Sequence, residues 1–331
     1  MMAQKILITG ITGLIGRSVL DKLLSLTDDF EITALIRPHT NRNRFSRYSD
    51  RINVTFLNLG DLEGLKSFLV SAKFDIILHI GALRGGRNYS QKAFYRANVQ
   101  STEQLVENAL LNQSRLIFCS SVGVFGAIPE EIPANNETPY KADNYYHYTK
   151  IVCEKVINRA IMKGLNAVII RPSITYGPGD HGFPHQLVKM VRNRMFTVSN
   201  KPIWMHLCHI DTISTAFVRL VTDKSGIQGK TYNVADVEPV QQRDLANFIY
   251  RQLYNRNYPK LLTIDNDVLR AGEWIARKLK NELWTARFEL ISHSWFYQVR
   301  EAYAELDLPQ HFTIPDISLI IKKAVLKDRD K

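Results

Sequence analysis

Tyr146 and Lys150 stand four residues apart in the run Tyr145-Tyr146-His147-Tyr148-Thr149-Lys150. On a helix that spacing stacks a phenol and an ammonium on one face. A free phenol titrates at about pH 10, and positive charge beside it favours the ionised form, so the pair suits proton exchange. Tyr145 and Tyr148 are rivals, but neither has a lysine four positions on. A hydroxyl stands at Ser121, where an apolar run ends in Ser120-Ser121. A second stretch, Gly10-Ile11-Thr12-Gly13-Leu14-Ile15-Gly16, suits phosphate binding. Its glycines allow a tight turn and close approach of a pyrophosphate, and a helix N-terminus behind them offers free N–H groups. The spacing is G-x-x-G-x-x-G rather than G-x-G-x-x-G, so taken alone it also fits an ordinary strand-to-helix turn.

These residues need a sheet with helices around it. Ile6 to Ile8 reads as a buried parallel strand, and Ser18 to Leu24 has helical apolar spacing. Further strands are read at 31–36, 54–59, 75–80, 115–119 and 167–170, with helices between them. Asn98 is expected to open a helix from Val99 to Leu111. The sheet is expected to return near His209-Ile210-Asp211 and at 230–235. Beyond Arg171-Pro172-Ser173 the turn-rich Tyr176-Gly177-Pro178-Gly179 leads into a smaller lobe. From Arg243 onward the pattern is mostly helical. Between Val268 and Phe288, Leu269, Trp274, Ile275, Leu279, Leu283 and Trp284 make an amphipathic stretch, read as a lobe helix over the substrate in preference to a membrane- or partner-binding helix.

A chain of 331 residues with 45% hydrophobic and 23% charged content can bury one α/β core and an attached lobe. No run reaches the roughly 18 apolar residues of a membrane span. Lys5 and its apolar sequel resemble a leader, but the periodic glycines and the missing small-residue cleavage site favour a first strand and a cytoplasmic protein. Cys119, Cys153 and Cys208 form no paired pattern, which fits a reducing compartment. The net charge of +11 favours anionic small molecules; its scattered cations and the lack of a recognition motif speak against nucleic acid. Arg37, just past the second strand and near Arg42 and Arg44, suits a 2′-phosphate and favours NADP over NAD, unless it only stacks over adenine. Asp61 either accepts from an adenine amino group or caps a helix. His79, inside an apolar run, reads as a core histidine. His181, His185, His206 and His209 match no metal-ligand spacing, so no metal is expected. Asp180 and His181 follow the glycine-proline turn, in reach of a substrate.

Taken in order, these features resemble the extended short-chain dehydrogenase/reductase family, of NAD-dependent epimerase/dehydratase type. The likeness rests on the glycine turn, Gly60-Asp61-Leu62, Asn98-Val99, Ser120 to Gly126, Tyr146-x-x-x-Lys150 with Glu154, Arg171-Pro172 through Gly179, His209-Ile210-Asp211 and Tyr232-Asn233-Val234. It implies a Rossmann-type doubly wound parallel sheet over residues 1–178, completed by about 207–236, with a substrate-binding lobe from 179–206 and 237–331. It implies that Tyr146 exchanges a proton with the substrate oxygen while hydride passes between substrate carbon and nicotinamide. Half-ionising that phenol at pH 7 takes about 4 kcal/mol, supplied by the Lys150 ammonium and the oxidised ring. Ser121 then holds the reacting oxygen, and Lys150 also grips the nicotinamide ribose. Gly10, Thr12, Gly13, Leu14, Ile15, Gly16, Arg37, Asp61, Leu62, Gly81, Ala82, Leu83, Asn98, Pro172 and Ser173 are the implied cofactor contacts. Helix pairing in a homodimer is a further family trait.

Departures from the family pattern sort its reactions. Val122 and Gly123 stand where 4,6-dehydratases carry an Asp-Glu pair, which argues against water elimination. Met205 stands where many sugar-nucleotide epimerases carry a diphosphate-binding arginine, although Lys189, Arg192 and Arg194 offer charge nearby. The leading expectation is an epimerase or 4-ketoreductase for a nucleotide-linked sugar. Its rival is an NADPH-dependent ketone or alcohol reductase of dihydroflavonol-reductase or 3β-hydroxysteroid-dehydrogenase type, favoured by Met205, Trp204, Trp274, Trp284 and Trp295. A catalytically silent, cofactor-sensing module is the third. The basic, glycine-rich loop Arg84-Gly85-Gly86-Arg87-Asn88 is either a substrate contact or a surface turn.

Overall fold

Ile6, Leu7 and Ile8 alternate between two separate apolar cores, because successive side chains of a strand point to opposite faces. The computed structural model describes residues 3–26, 29–84, 89–223 and 225–322. Over these the chain runs β1 (Gln4–Thr9), α1 (Leu14–Leu26), β2 (Phe30–Ile36), β3 (Asn53–Phe56), α2 (Leu62–Ser71), β4 (Ile76–His79), α3 (Gln91–Phe94), a π-turn at Tyr95–Gln100, α4 (Ser101–Asn112), β5 (Arg115–Cys119), α5 (Tyr145–Ile161) and β6 (Ala167–Pro172). It continues through β7 (Ile174–Tyr176), α6 (Phe183–Arg192), β8 (Val198–Ser199), β9 (Trp204–Met205), β10 (Leu207–His209), α7 (Ile210–Thr222) and β11 (Thr231–Val234). Last come β12 (Val240–Gln241), α8 (Gln242–Tyr254), β13 (Thr263–Ile264), α9 (Asn266–Lys278), α10 (Glu282–Ser292), α11 (Arg300–Leu306) and α12 (Thr313–Asp316).

Seven parallel strands form the central sheet in the order β11-β6-β5-β4-β1-β2-β3. Such a sheet must be covered on both faces, which is why its inner strands are apolar without interruption. Val19, Leu23, Ile213 and Phe217 of α1 and α7 cover one face. Leu65, Leu105, Val106, Ile157 and Ala160 of α2, α4 and α5 cover the other. This is the doubly wound α/β fold. Strand order reverses between β1 and β4, so a crevice opens there at the carboxyl ends of the strands, where ligands of such sheets bind. A third core, with Leu187, Val191, Leu245, Ile249, Trp295 and Ile317, lies under α6, α8 and the C-terminal segments.

Four local expectations are corrected. His209 does not return to the main sheet: β10 pairs with β7 in a separate two-stranded ladder, and Asp211 already lies in α7. A three-residue apolar run carries no signal for which strand it will join. The helix expected to open at Asn98 begins at Gln91, capped by the Ser90 side chain, and passes Asn98 within the π-turn. Strand three ends at Phe56, short of Leu59. The stretch 268–288 is two helices, α9 and α10, broken at Leu279–Asn281 where Lys280 adopts φ 53°. Positions 85–88 of the basic loop lie outside the described residues; Arg84 is exposed.

Candidate active site

Gly10 turns the chain out of β1 with φ 82°, and a Cβ there would lie 2.7 Å from the Gly81 backbone. A Cβ on Gly16 would lie 2.3 Å from the Gly10 carbonyl. Both positions therefore demand glycine, and the close packing brings the start of α1 to the strand ends. Gly13 N–H donates to the Gly10 carbonyl at 3.0 Å, so Thr12 and Gly13 complete a closed turn. The leading amides of α1, from Leu14, Ile15 and Gly16, have no carbonyl behind them in the helix and are available to an anion. This cradle fits a dinucleotide pyrophosphate.

The floor beside it is held by a chain of hydrogen bonds. Gly81 N–H donates to Thr9 Oγ1, Thr9 pairs with His79 Nδ1 at 2.9 Å, and His79 Nε2 pairs with Thr102 Oγ1 at 3.0 Å. Thr102 donates onward to the Asn98 carbonyl, which assigns the Nε2–H tautomer to His79. Burial, and secondarily the Lys150 charge, lowers the His79 pKa to about 3, so this imidazole is neutral and structural. The Asn98 amide accepts from Leu83 N–H at 2.7 Å and donates to the Leu83 carbonyl and Thr149 Oγ1, each at 3.0 Å. These bonds fix Gly81-Ala82-Leu83 against α5. The Ser173 hydroxyl donates to the His206 carbonyl, tying the end of β6 at Pro172 to the segment before β10. Asp61 caps α2, accepting from Gly64 N–H at 3.1 Å, with Leu62 as the first helical residue.

Asn144 caps α5, and one buried stripe of that helix carries Lys150, Cys153, Glu154 and Ile157. Two charges on a buried face need partners. Lys150, 2% exposed, donates to the Cys119 carbonyl at 2.6 Å and sits 4.5 Å over the Phe118 ring and 6.0 Å from the Tyr146 ring centre. Glu154, fully buried, accepts from Ser120 Oγ, from Arg171 Nη2 at 2.6 Å and from Tyr140 OH at 2.7 Å. The helix is thereby pinned to the end of β5 at successive residues, 119 and 120, and the next residue is Ser121. Ser121 is extended (φ −163°), half-buried, and accepts from Gly123 N–H at 3.1 Å. Tyr146 is half-buried one turn before Lys150.

Two residues beside these groups escape sequence reasoning. His147 fills the space that a side chain at 123 would take: a Cβ on Gly123 would lie 2.5 Å from His147 Nε2 and 3.2 Å from Ser121 Oγ. Asn144 accepts from the His147 backbone and presents its Nδ2 to His147 Nδ1 at 3.2 Å, which leaves the proton on Nε2. Burial holds the His147 pKa below the usual imidazole range, so a neutral donor faces the Ser121 corner. Arg17 follows the third glycine, and its Nη2 lies 3.5 Å from the Cβ position of Gly179, across the mouth of the crevice. It makes no ion pair with any described residue. Arg171 of the Arg-Pro motif acts through Glu154. The sequence signals were adjacency, to Tyr146 for His147 and to Gly16 for Arg17. Arg37 is exposed at the end of β2, its carbonyl accepting from Thr40. Among the described residues no three His, Cys, Asp or Glu side chains converge as a metal set.

The chain is similar to known proteins over most of its length. The profile of the NAD dependent epimerase/dehydratase family matches residues 6–235. The chain is 29% identical over 211 residues to the UDP-glucose 4-epimerase of Cyamopsis tetragonoloba, covering 58% of this chain and 60% of that protein. It is 27% identical over 198 residues to the 2-alkyl-3-oxoalkanoate reductase of Stenotrophomonas maltophilia (strain K279a), covering 57% and 60%. It thus spans 60% of the length of each of these two curated relatives. UDP-glucuronic acid 4-epimerase from Bacillus cereus, solved in complex with NAD, shares the fold with a TM-score of 0.72 over 97% of this chain and 99% of that one, at 17% identity.

Proposed function

Because the chain belongs to the NAD dependent epimerase/dehydratase family, we propose that it acts on a secondary alcohol or ketone carbon of a nucleotide-linked sugar, as an epimerase or a 4-ketoreductase. The observation that carries this reading is the pinning of α5: Lys150 on the Cys119 carbonyl and Glu154 on Ser120 set Tyr146 and Ser121 at one strand end. A nicotinamide dinucleotide supplies hydride transfer when bound, NADP in preference to NAD. Gly10, Thr12, Gly13 and the amides of Leu14, Ile15 and Gly16 would hold its pyrophosphate, with the Arg17 guanidinium adding positive charge nearby. Arg37 meets the 2′-phosphate, and Asp61 and Leu62 flank the adenine. Tyr146 moves a proton at the substrate oxygen, Ser121 and His147 orient that oxygen, and Lys150 biases the phenol and holds the ribose. Residues 179–206 and 237 onward serve as the substrate lobe.

Elimination of water is disfavoured in this reading, because Val122 and Gly123 offer no acid and the imidazole that takes their place is held neutral. A reductase of a less charged ketone is the second reading. Met205, fully buried at the epimerase arginine position, favours it, as does the kinship to an oxoalkanoate reductase. The exposed Leu111, Tyr148 and Met162 of the α4–α5 region support a homodimer through those helices, and the three free cysteines support a reducing cytoplasm.

Incubation with UDP-sugars and, separately, with ketones and NADPH tests the assignment. Sugar interconversion without net change at 340 nm identifies an epimerase, and NADPH consumption a reductase. Tyr146→Phe should lower the active reaction by about 10²–10⁴-fold while leaving cofactor binding intact. Full turnover in that variant removes Tyr146 from the chemistry.

A further inference from the structure

α9 carries one broad apolar face and buries only part of it. It buries Leu269 and Ala276, and Gly272 packs against the Phe288 ring of α10. On the flank of that buried strip Val268, Ala271, Ile275 and Leu279 recur at three- and four-residue steps with Trp274 further round, all exposed, Leu279 to 74%. Trp284 of α10 is exposed as well. A surface helix ordinarily turns such an apolar face to the core and leaves the charged positions outside.

Among the described residues the unpaired charge around the outer stripe is mostly positive. Arg270, Lys278, Lys280 and Arg287 make no ion pair with any described residue. Lys278 lies 5.6 Å over the Trp274 ring, and Arg287 lies 5.0 Å over the Trp284 ring. The described acids are occupied: Glu273 and Glu289 pair with Arg277, and Asp267 pairs with Lys201. Aliphatic residues along one line, tryptophans at its edge and free cations around it match the boundary between acyl chains and anionic headgroups.

We propose that the α9–α10 hairpin docks this protein onto an anionic lipid bilayer, with Val268, Ile275 and Leu279 entering the acyl boundary and Arg270, Lys278, Lys280 and Arg287 meeting the headgroups. The attachment is peripheral, since no described helix is long and apolar enough to cross a membrane. A second copy is the poorer occupant, because a self-complementary contact would set the same cations against each other. The segment 323–331, with Lys323, Lys327, Arg329 and Lys331 against Asp328 and Asp330, is disfavoured by the same repulsion.

Sedimentation of the full chain with vesicles tests this. Binding to equimolar phosphatidylcholine and phosphatidylglycerol should exceed binding to phosphatidylcholine alone by about tenfold or more, and weaken as salt rises. Ile275→Asp with Leu279→Asp, both outward-facing, should lower that binding by about tenfold at an unchanged melting temperature. Lys278→Glu with Lys280→Glu should do the same. No binding to the anionic vesicles would overturn the proposal, as would binding untouched by the aspartate pair. Conversion of a stable dimer to monomer by the aspartate pair, without vesicle binding in the parent, would assign the stripe to a second copy instead.

Discussion

A single methyl group decides how the corner around Ser121 is furnished. Gly123→Ala would drive a carbon to 2.5 Å from His147 Nε2, so the imidazole must leave and activity should fall with it. Removing the obstacle by His147→Ala restores room, and thermal melts of the two single variants and the double should show coupling of about 0.5–3 kcal/mol. Additive melts would mean that the two residues do not share that space. At the far end of the crevice Arg37→Asp exchanges a cation suited to a 2′-phosphate for a group that repels it. The ratio of kcat/KM with NADP to that with NAD should swing toward NAD, and an unchanged ratio would remove Arg37 from cofactor selection. Tyr146 and Lys150 were legible because their relation is local, one helical turn. His147 was not, because the glycine it replaces lies 24 positions earlier and only folding brings them together.

Among the elements, α5 carries most of the positioning. Its Glu154 is shared by Ser120, Tyr140 and Arg171, so Glu154→Gln leaves a buried guanidinium without its counter-charge. Such a loss costs about 3–5 kcal/mol, read as a lower denaturation midpoint. A destabilisation within experimental scatter would show that the network contributes nothing net. The strands of the central sheet could be read directly, since parallel strands covered on both faces need unbroken apolar runs, as Ile6–Ile8 and Ala167–Ile170 have. The hairpin of α9 and α10 could not. Apolar spacing continues through Leu279 into the next helix, and nothing local distinguishes the stripe facing Phe288 from the one facing outward. The start at Gln91 was equally hidden, because a π-turn breaks the helical period just where Asn98 must reach Leu83.

For the molecule as a whole, buried imidazoles govern the response to acid. Burial lowers the pKa of His79 to about 3 and those of His206 and His209 to about 4. Each of these histidines takes up a proton below about pH 6.5 when unfolded but not when folded, so the stability it permits is complete above that pH and is lost on acidification. At pH 5 the cost is about 2 kcal/mol per imidazole. Asp236 works the other way, because burial raises its pKa to about 6 and the folded protein regains about 1 kcal/mol as it protonates. His311, raised by Asp211 and Asp316, also gains on acidification. The three imidazoles outweigh both, so the melting temperature should drop between pH 7 and pH 5; an equal or higher value at pH 5 would contradict the balance. The two cores that share the central sheet also limit how descendants of this sequence can change in length. Neighbouring residues of β1, β4, β5 and β6 belong to opposite layers, so one inserted codon inside any of them would trade the occupants of both. An insertion or deletion that preserves both layers therefore has to fall in the connections between strands.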